Sequence, residues 1–187
     1  LQRDANRILG YTAQQTLDYL QALYEKKLCT YPRTDSRFLT DDMESSVPGL
    51  VSAAVTICGV QAAGSVSAAP VCSSKNVTDH HAVVPTKSAA DADLAALPQG
   101  EREILRLVSL GLLRAVCPPH RYAETSLTAE CGGHRFTAKG KAVLDMGWRV
   151  YAAPSKDAAL PDGLAEGQSL TVDAVQVKEG KTTPPKH

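Results

Sequence analysis

The sequence predicts an α+β protein. Apolar residues recur at helical spacing in two stretches before residue 118, and the period changes to two from Tyr122 onward. Pro118 and Pro119 stand between the two regimes, so the chain divides near residue 119 into a helical part, 1–118, and a β part, 119–187.

The clearest helix spans 12–28. Thr12 and Gln15 have the spacing of a capping box, Leu17, Leu20 and Tyr24 share one face, and Ala13 and Ala22 add propensity. Pro32 disfavours helical geometry before it, which predicts an end near Leu28 and places Tyr31 just past it. Residues 31–40 read as a polar loop, and 41–60 as a helix that Pro48-Gly49 interrupts or re-initiates. The Ala-, Ser- and Gly-rich stretch from Gly59 to Ser74 suggests a connection or a weak strand at 66–71. A second helix covers about 101–116, with Ile104, Leu105, Val108, Leu112 and Val116 as its apolar stripe. Ala123, Thr125, Leu127 and Ala129 then alternate with Glu124, Ser126, Thr128 and Glu130, the pattern of a strand. Gly132-Gly133 supplies a turn and His134 to Ala138 the returning strand, with further strands expected at 148–152 and 169–177.

Composition sets limits. Hydrophobic residues are 43% and charged residues 21% of 187, the profile of a chain that folds into a globular core. Twenty basic residues balance twenty acidic ones, so any nucleic-acid binding must come from a local patch. Cys29, Cys58, Cys72, Cys117 and Cys131 lack any C-x-x-C pair and read as buried free thiols of a reducing cytosol, not as a disulfide framework or zinc site. No apolar run has the length of a membrane span, and Arg3, Asp4 and Arg7 argue against a signal peptide, so a soluble protein is expected. The chain opens on Leu1 and closes on Pro185-Lys186-His187, as expected of a piece excised from a longer polypeptide.

Thr30-Tyr31-Pro32-Arg33-Thr34-Asp35-Ser36 carries the chemistry. It sets a phenolic nucleophile, a fixed turn and a guanidinium side by side. Tyrosine ordinarily titrates near pH 10, so it attacks at neutral pH only where cationic or basic groups favour its deprotonation. Arg33 suits that task, and its planar fork also matches two oxygens of a phosphate. The structural alternative is a buried tyrosine beside a helix end, with Arg33 and Asp35 paired on the surface. Asp35 and Ser36 are suited to fixing the loop through nearby backbone amides, with Thr34 beside them. Lys26, Lys27 and Arg37 read equally as phosphate-attracting cations or as solvated surface charge. His134 and Arg135 read as hairpin residues, and Trp148 as a packing or turn contact.

Several motifs together resemble the type IA DNA topoisomerases, of the topoisomerase III kind. Leu1-Gln2-Arg3-Asp4-Ala5-Asn6, Thr16-Leu17, Leu23-Tyr24-Glu25 and Thr30 to Ser36 resemble the run leading into that family's active-site tyrosine. Asp79-His80-His81-Ala82-Val83-Val84-Pro85-Thr86 is similar to its histidine signature. Phe136-Thr137-Ala138-Lys139-Gly140 with Gly147-Trp148, and Thr183-Pro184-Pro185, are weaker matches in the same order.

The resemblance implies that Tyr31 attacks a backbone phosphate of single-stranded DNA to give a 5′-phosphotyrosine, with Arg33 stabilising the phosphate and resealing needing no ATP. His80 aligns with the family histidine and is expected to contact the DNA backbone. His81 stands where many relatives carry an acid, and it joins Thr34, Asp35 and Ser36 as a supporting residue. The family implies a winged-helix-like tyrosine domain over 1–118, then part of a β-rich hinge domain over 119–187 that is completed by another chain segment. Mg²⁺ is expected for the whole enzyme, held by an acidic toprim domain outside these residues. Asp91-Ala92-Asp93 has the spelling of that site but reads as the approach to a helix. The implied partners are single-stranded DNA and the other domains of the polypeptide, in the cytoplasm at the nucleoid, with no membrane. A non-catalytic DNA-binding module with the same fold is the alternative. A tyrosine recombinase or nicking enzyme would need its own Arg and His signatures, which do not occur.

Overall fold

The structure, a computed structural model, describes residues 1–154 and 158–182. Its mixture of helices and one antiparallel hairpin bears out the α+β class.

Helix α1 spans Gln2–Leu9 and ends at Gly10, whose φ of 74° lets the chain reverse. Sequence periodicity does not reveal this helix, because Ala5 is its one buried residue and the rest is largely polar. Helix α2, Ala13–Glu25, starts on the expected capping box: the Gln15 amide donates to Thr12 Oγ1 at 3.1 Å and the Thr12 amide to Gln15 Oε1 at 2.9 Å.

The end of α2 is not set by Pro32. Lys27 adopts φ 61°, the one positive φ at a non-glycine residue among those described. The Leu28 amide donates to the Leu23 carbonyl and the Lys27 amide to the Tyr24 carbonyl, each at 2.8 Å, while Leu23 and Leu28 are both buried. This is a Schellman turn with lysine where glycine is usual, and the left-handed backbone costs about 1 kcal/mol.

Residues Asp41–Ser46 form a 3-10 turn and helix α3 follows over Val47–Cys58, with Pro48 in its first turn where no backbone donor is needed. The interruption at Pro48-Gly49 is thus a start. No strand forms at 66–71. Pro70 lies in a turn closed by the Val71 and Cys72 amides on the Ala68 carbonyl, and only a single bridge joins Leu39 to Cys72.

Helix α4, Gln99–Val116, is the centre of the helical part. Its N-terminal half packs with Ala5, Leu20, Leu23, Leu28 and Cys29, and its C-terminal half with α3, Leu39, Val71 and Val84. Lys26 reaches the 7% exposed Glu101 at 2.5 Å and ties the end of α2 to the start of α4. Tyr19 lies flat against Gly100, where any Cβ would overlap the ring at 2.4 Å.

The Tyr11 hydroxyl donates to Glu103 and clamps the α1–α2 turn to α4. That bond first, then one from Gln99, holds the Glu103 carboxyl below its usual range, while Tyr11 is pushed up to about 12, first by the same bond. Glu103 therefore contributes stability above the ordinary carboxylate pKa, lost as pH falls through its folded value. Tyr11 contributes below about pH 10, lost as pH rises towards 12. Tyr11→Phe is expected to lower stability by about 1 kcal/mol at neutral pH and to flatten both limbs of the stability–pH curve, as read by urea melts.

Strands β1, Arg121–Cys131, and β2, His134–Asp145, form the expected hairpin, with β2 longer than anticipated. Gly132 and Gly133 have φ 56° and 75°, the pair of positive values that a two-residue turn matching strand twist requires. Both faces are largely open to solvent, with only Leu127 and Ala129 of β1 half-buried. Two of the expected strands are absent. Residues Gly147–Tyr151 form a 3-10 turn because Gly147, at φ 47°, packs against the Pro118 and Pro119 carbonyls and the Trp148 amide donates to Pro118. The Tyr151 hydroxyl donates to the Gln61 carbonyl at 2.6 Å, and Arg114 donates to the Tyr151 carbonyl, so this turn anchors the hairpin base on the helical part. Residues 169–177 have strand composition but pair with no described segment, and Val177 is 94% exposed. Thr183-Pro184-Pro185 lies outside the described residues.

Candidate active site

Tyr31 is delivered by the Schellman turn. From Leu28 the chain leaves α2 extended and lies antiparallel to the histidine segment. The Thr86 amide donates to the Leu28 carbonyl at 3.0 Å, the Thr30 amide to Val84 at 3.0 Å, and the Val84 amide to Thr30 Oγ1 at 3.0 Å. Thr86 Oγ1 donates to the Lys27 carbonyl at 2.7 Å. Both motifs are therefore fastened together on either side of the Cys29–Pro85 bridge.

The fastening continues beyond Tyr31. Thr34 Oγ1 donates to the His80 carbonyl at 2.8 Å and accepts the Ser36 amide at 3.0 Å. Ser36 Oγ accepts the Phe38 amide at 3.1 Å, and the Ala82 amide donates to the Phe38 carbonyl at 2.8 Å. Thr34 and Ser36 thus each hydrogen-bond to backbone within the loop. Asp35 departs from expectation: it is exposed and makes no hydrogen bond or ion pair among the described residues, because its two neighbours already satisfy the adjacent amides.

The result is a row of rings. His80 lies 4.4 Å from Tyr31 between centroids at 45°, and Tyr24 of α2 meets Tyr31 edge-on at 5.4 Å. His81 turns away: its Nδ1–H donates to the Ala82 carbonyl at 2.7 Å, so His80 is the imidazole at Tyr31. Arg33 is exposed and donates to Gln21 Oε1 at 3.2 Å, not to Asp35, while Gln21 in turn donates to Glu25 at 2.9 Å. One Arg33 donor is used, and the remaining fork stays open to an anion.

Gln21, Tyr24, Thr30 and Thr86 were not singled out from the motif chemistry, although all four meet it here. The signal for the first two was present: they lie three apart on the helix that leads into the motif, hence on one face. Thr30 and Thr86 lie at the ends of the two motifs, but nothing local marked what they would meet, because their partners are distant in sequence.

Burial pushes the Cys29 thiol up to about 12, so this group two residues from Tyr31 stays protonated and inert. Cys29, Cys58 and Cys117 are buried free thiols, but Cys72 is half-buried and Cys131, at the hairpin tip, is exposed. Asp93 Oδ1 accepts the Ala95 and Ala96 amides at 3.0 and 3.3 Å, a turn that leads towards α4, so the Asp93 carboxylate is engaged structurally. Among the described residues no three carboxylate, imidazole or thiolate groups converge into a metal-binding cluster. Nor is any helix among them long and apolar enough to cross a membrane.

The loop-borne tyrosine, the arginine two residues on and the histidine tilted against its ring belong to a chain whose whole length, residues 1–187, matches the DNA topoisomerase family. The chain belongs to that family. It is 38% identical over 200 residues to DNA topoisomerase 3 of Bacillus licheniformis and 36% identical over 200 residues to that of Bacillus subtilis. The DNA topoisomerase 3 of Bacillus thuringiensis strain Al Hakam is 35% identical over 205 residues. Each match covers 99% of this chain and 27% of the relative, so the chain spans about a quarter of their length. These likenesses bear out the resemblance to the topoisomerase III kind read from the motifs.

Proposed function

We propose that this chain is the tyrosine-bearing part of a type IA DNA topoisomerase that transiently cleaves and reseals single-stranded DNA. The observation that carries the reading is the contact of His80 with Tyr31, ring centroids 4.4 Å apart, which joins two motifs remote in sequence around a half-buried tyrosine, with His80 and Arg33 exposed. In the cleavage step Tyr31 Oη attacks the phosphorus and the phosphorus–O3′ bond breaks. The strand leaves with a 3′-hydroxyl that takes up a proton, and its other end stays as a 5′-phosphotyrosine. The new ester keeps the energy of the broken one, so attack by the 3′-hydroxyl reverses the step without ATP.

Arg33 holds the non-bridging oxygens as negative charge builds, and His80 contacts the adjoining backbone. Thr34 and Ser36 hold the loop, and His81 fixes the backbone beside His80. Asp35 acts at the loop surface. Residues 1–118 form the tyrosine domain, winged-helix-like in plan, and 119–187 part of a β-rich hinge domain. The open hairpin and the unpaired strand-like segment at 169–177 support that second assignment, since both need further strands. Mg²⁺ is assigned to a toprim domain elsewhere in the polypeptide, where it helps position the phosphates. The whole protein acts in the cytoplasm on nucleoid DNA.

The test is to trap full-length protein on a 3′-labelled single strand with denaturant, digest it, and locate the nucleotide adduct by mass spectrometry. The adduct is expected on the peptide containing Tyr31, attached through the 5′-phosphate. An adduct on another residue, or attachment through a 3′-phosphate, would sink the reading. Absence of any adduct, with binding retained, would favour the non-catalytic module.

A further inference from the structure

We propose that Lys27 is a phosphate-binding residue of the cleavage site, its ammonium group meeting a phosphodiester of the bound strand. The inference rests on the reading above that the site takes single-stranded DNA. Lys27 is the one non-glycine residue with positive φ among those described, at 61°, in a turn position where glycine or asparagine relieves the strain. Strain that persists because its surroundings over-determine it is a mark of functional sites.

Nothing inside the fold offsets that strain through the side chain. Lys27 is exposed, and its ammonium group makes no hydrogen bond or ion pair among the described residues. Its neighbour Lys26 is the one that pairs with Glu101, at 2.5 Å. The two adjacent cations therefore differ in kind: one fastens α2 to α4, and the other is unassigned.

The backbone of Lys27, by contrast, is held at the site from both sides. Its amide donates at 2.8 Å to the carbonyl of Tyr24, the residue whose ring leans on Tyr31. Its carbonyl accepts from Thr86 Oγ1 at 2.7 Å and Ser88 Oγ at 3.4 Å, at the end of the segment that carries His80. A free, flexible cation thus stands on a rigid post at the joint of the two motifs, four residues before Tyr31. An ammonium group serves there as a point charge for backbone phosphate and reads no base, which suits sequence-tolerant binding.

The experiment uses the full-length protein with Tyr31→Phe throughout, so that binding stays reversible, and a fluorescent single-stranded oligonucleotide titrated over a range of salt. Adding Lys27→Gly is expected to raise the melting temperature by roughly 1–3 °C, because the backbone strain is released. It should weaken binding roughly three- to tenfold near 0.1 M salt and make the slope of log K against log salt shallower by about 0.7, one phosphate contact. Lys27→Arg should keep the parental slope. If Lys27→Gly binds with the parent's affinity and slope, the proposal is overturned while single-strand binding stands. If the parent itself does not bind the oligonucleotide, the functional reading falls together with it.

Discussion

Full-length protein carrying Tyr31→Phe is expected to lose covalent capture of DNA while still binding single strands. The substitution removes one oxygen and leaves the ring, so the contacts with His80 at 4.4 Å and Tyr24 at 5.4 Å survive. The Thr30–Val84 and Thr34–His80 bonds that hold the loop are untouched, as they use neighbouring groups. Binding should accordingly change by less than about threefold, because ring packing and the cations are intact. Covalent capture and relaxation should fall by a factor on the order of 10⁴ or more, the scale of losing a covalent nucleophile. Oligonucleotide trapping under denaturing conditions reads the first and a supercoiled-plasmid assay the second. Undiminished relaxation by this variant would remove Tyr31 from the mechanism.

The isolated 187-residue chain is expected to relax no supercoiled DNA, even with Mg²⁺ added. It spans 27% of the length of the relatives it matches, and among the described residues no cluster of three or more metal-ligating side chains forms. Asp93, whose spacing to Asp91 imitates such a site, has its carboxylate on the Ala95 and Ala96 amides. Here the hairpin stands with both faces largely open, and Phe136, Leu144 and Val143 are 59, 66 and 45% exposed. Plasmid relaxation by this chain alone would show that its own side chains suffice for cleavage, passage and resealing.

Much of the local structure was legible in the sequence. The capping box of α2, the start of α3 at Pro48, the stripe of α4 and the two-glycine hairpin turn each depend on residues close in the chain, and each formed as the spacing implied. Helix α1 escaped because its polar surface leaves Ala5 as the only buried position. The expected strands at 148–152 and 169–177 failed for a different reason. A strand needs an edge to pair with, and the first segment instead turns on the Pro118 and Pro119 carbonyls while the second has no described partner.

The candidate site divides along the same line. Tyr31, Arg33 and His80 were read from two motifs, each recognisable on its own because its chemistry lies in adjacent residues. That Tyr31 meets His80 and not His81, that Arg33 rests on Gln21 and not Asp35, and that Lys27 bears the strain were matters of the tertiary structure. The sequence by itself determined which elements form and which groups can do chemistry, since those depend on local spacing and side-chain type. Only the folded chain decided which of those groups meet, because the bonds that bring them together, Thr30 to Val84, Thr34 to His80 and Thr86 to Lys27, join residues far apart in sequence, and local patterns carry no record of them.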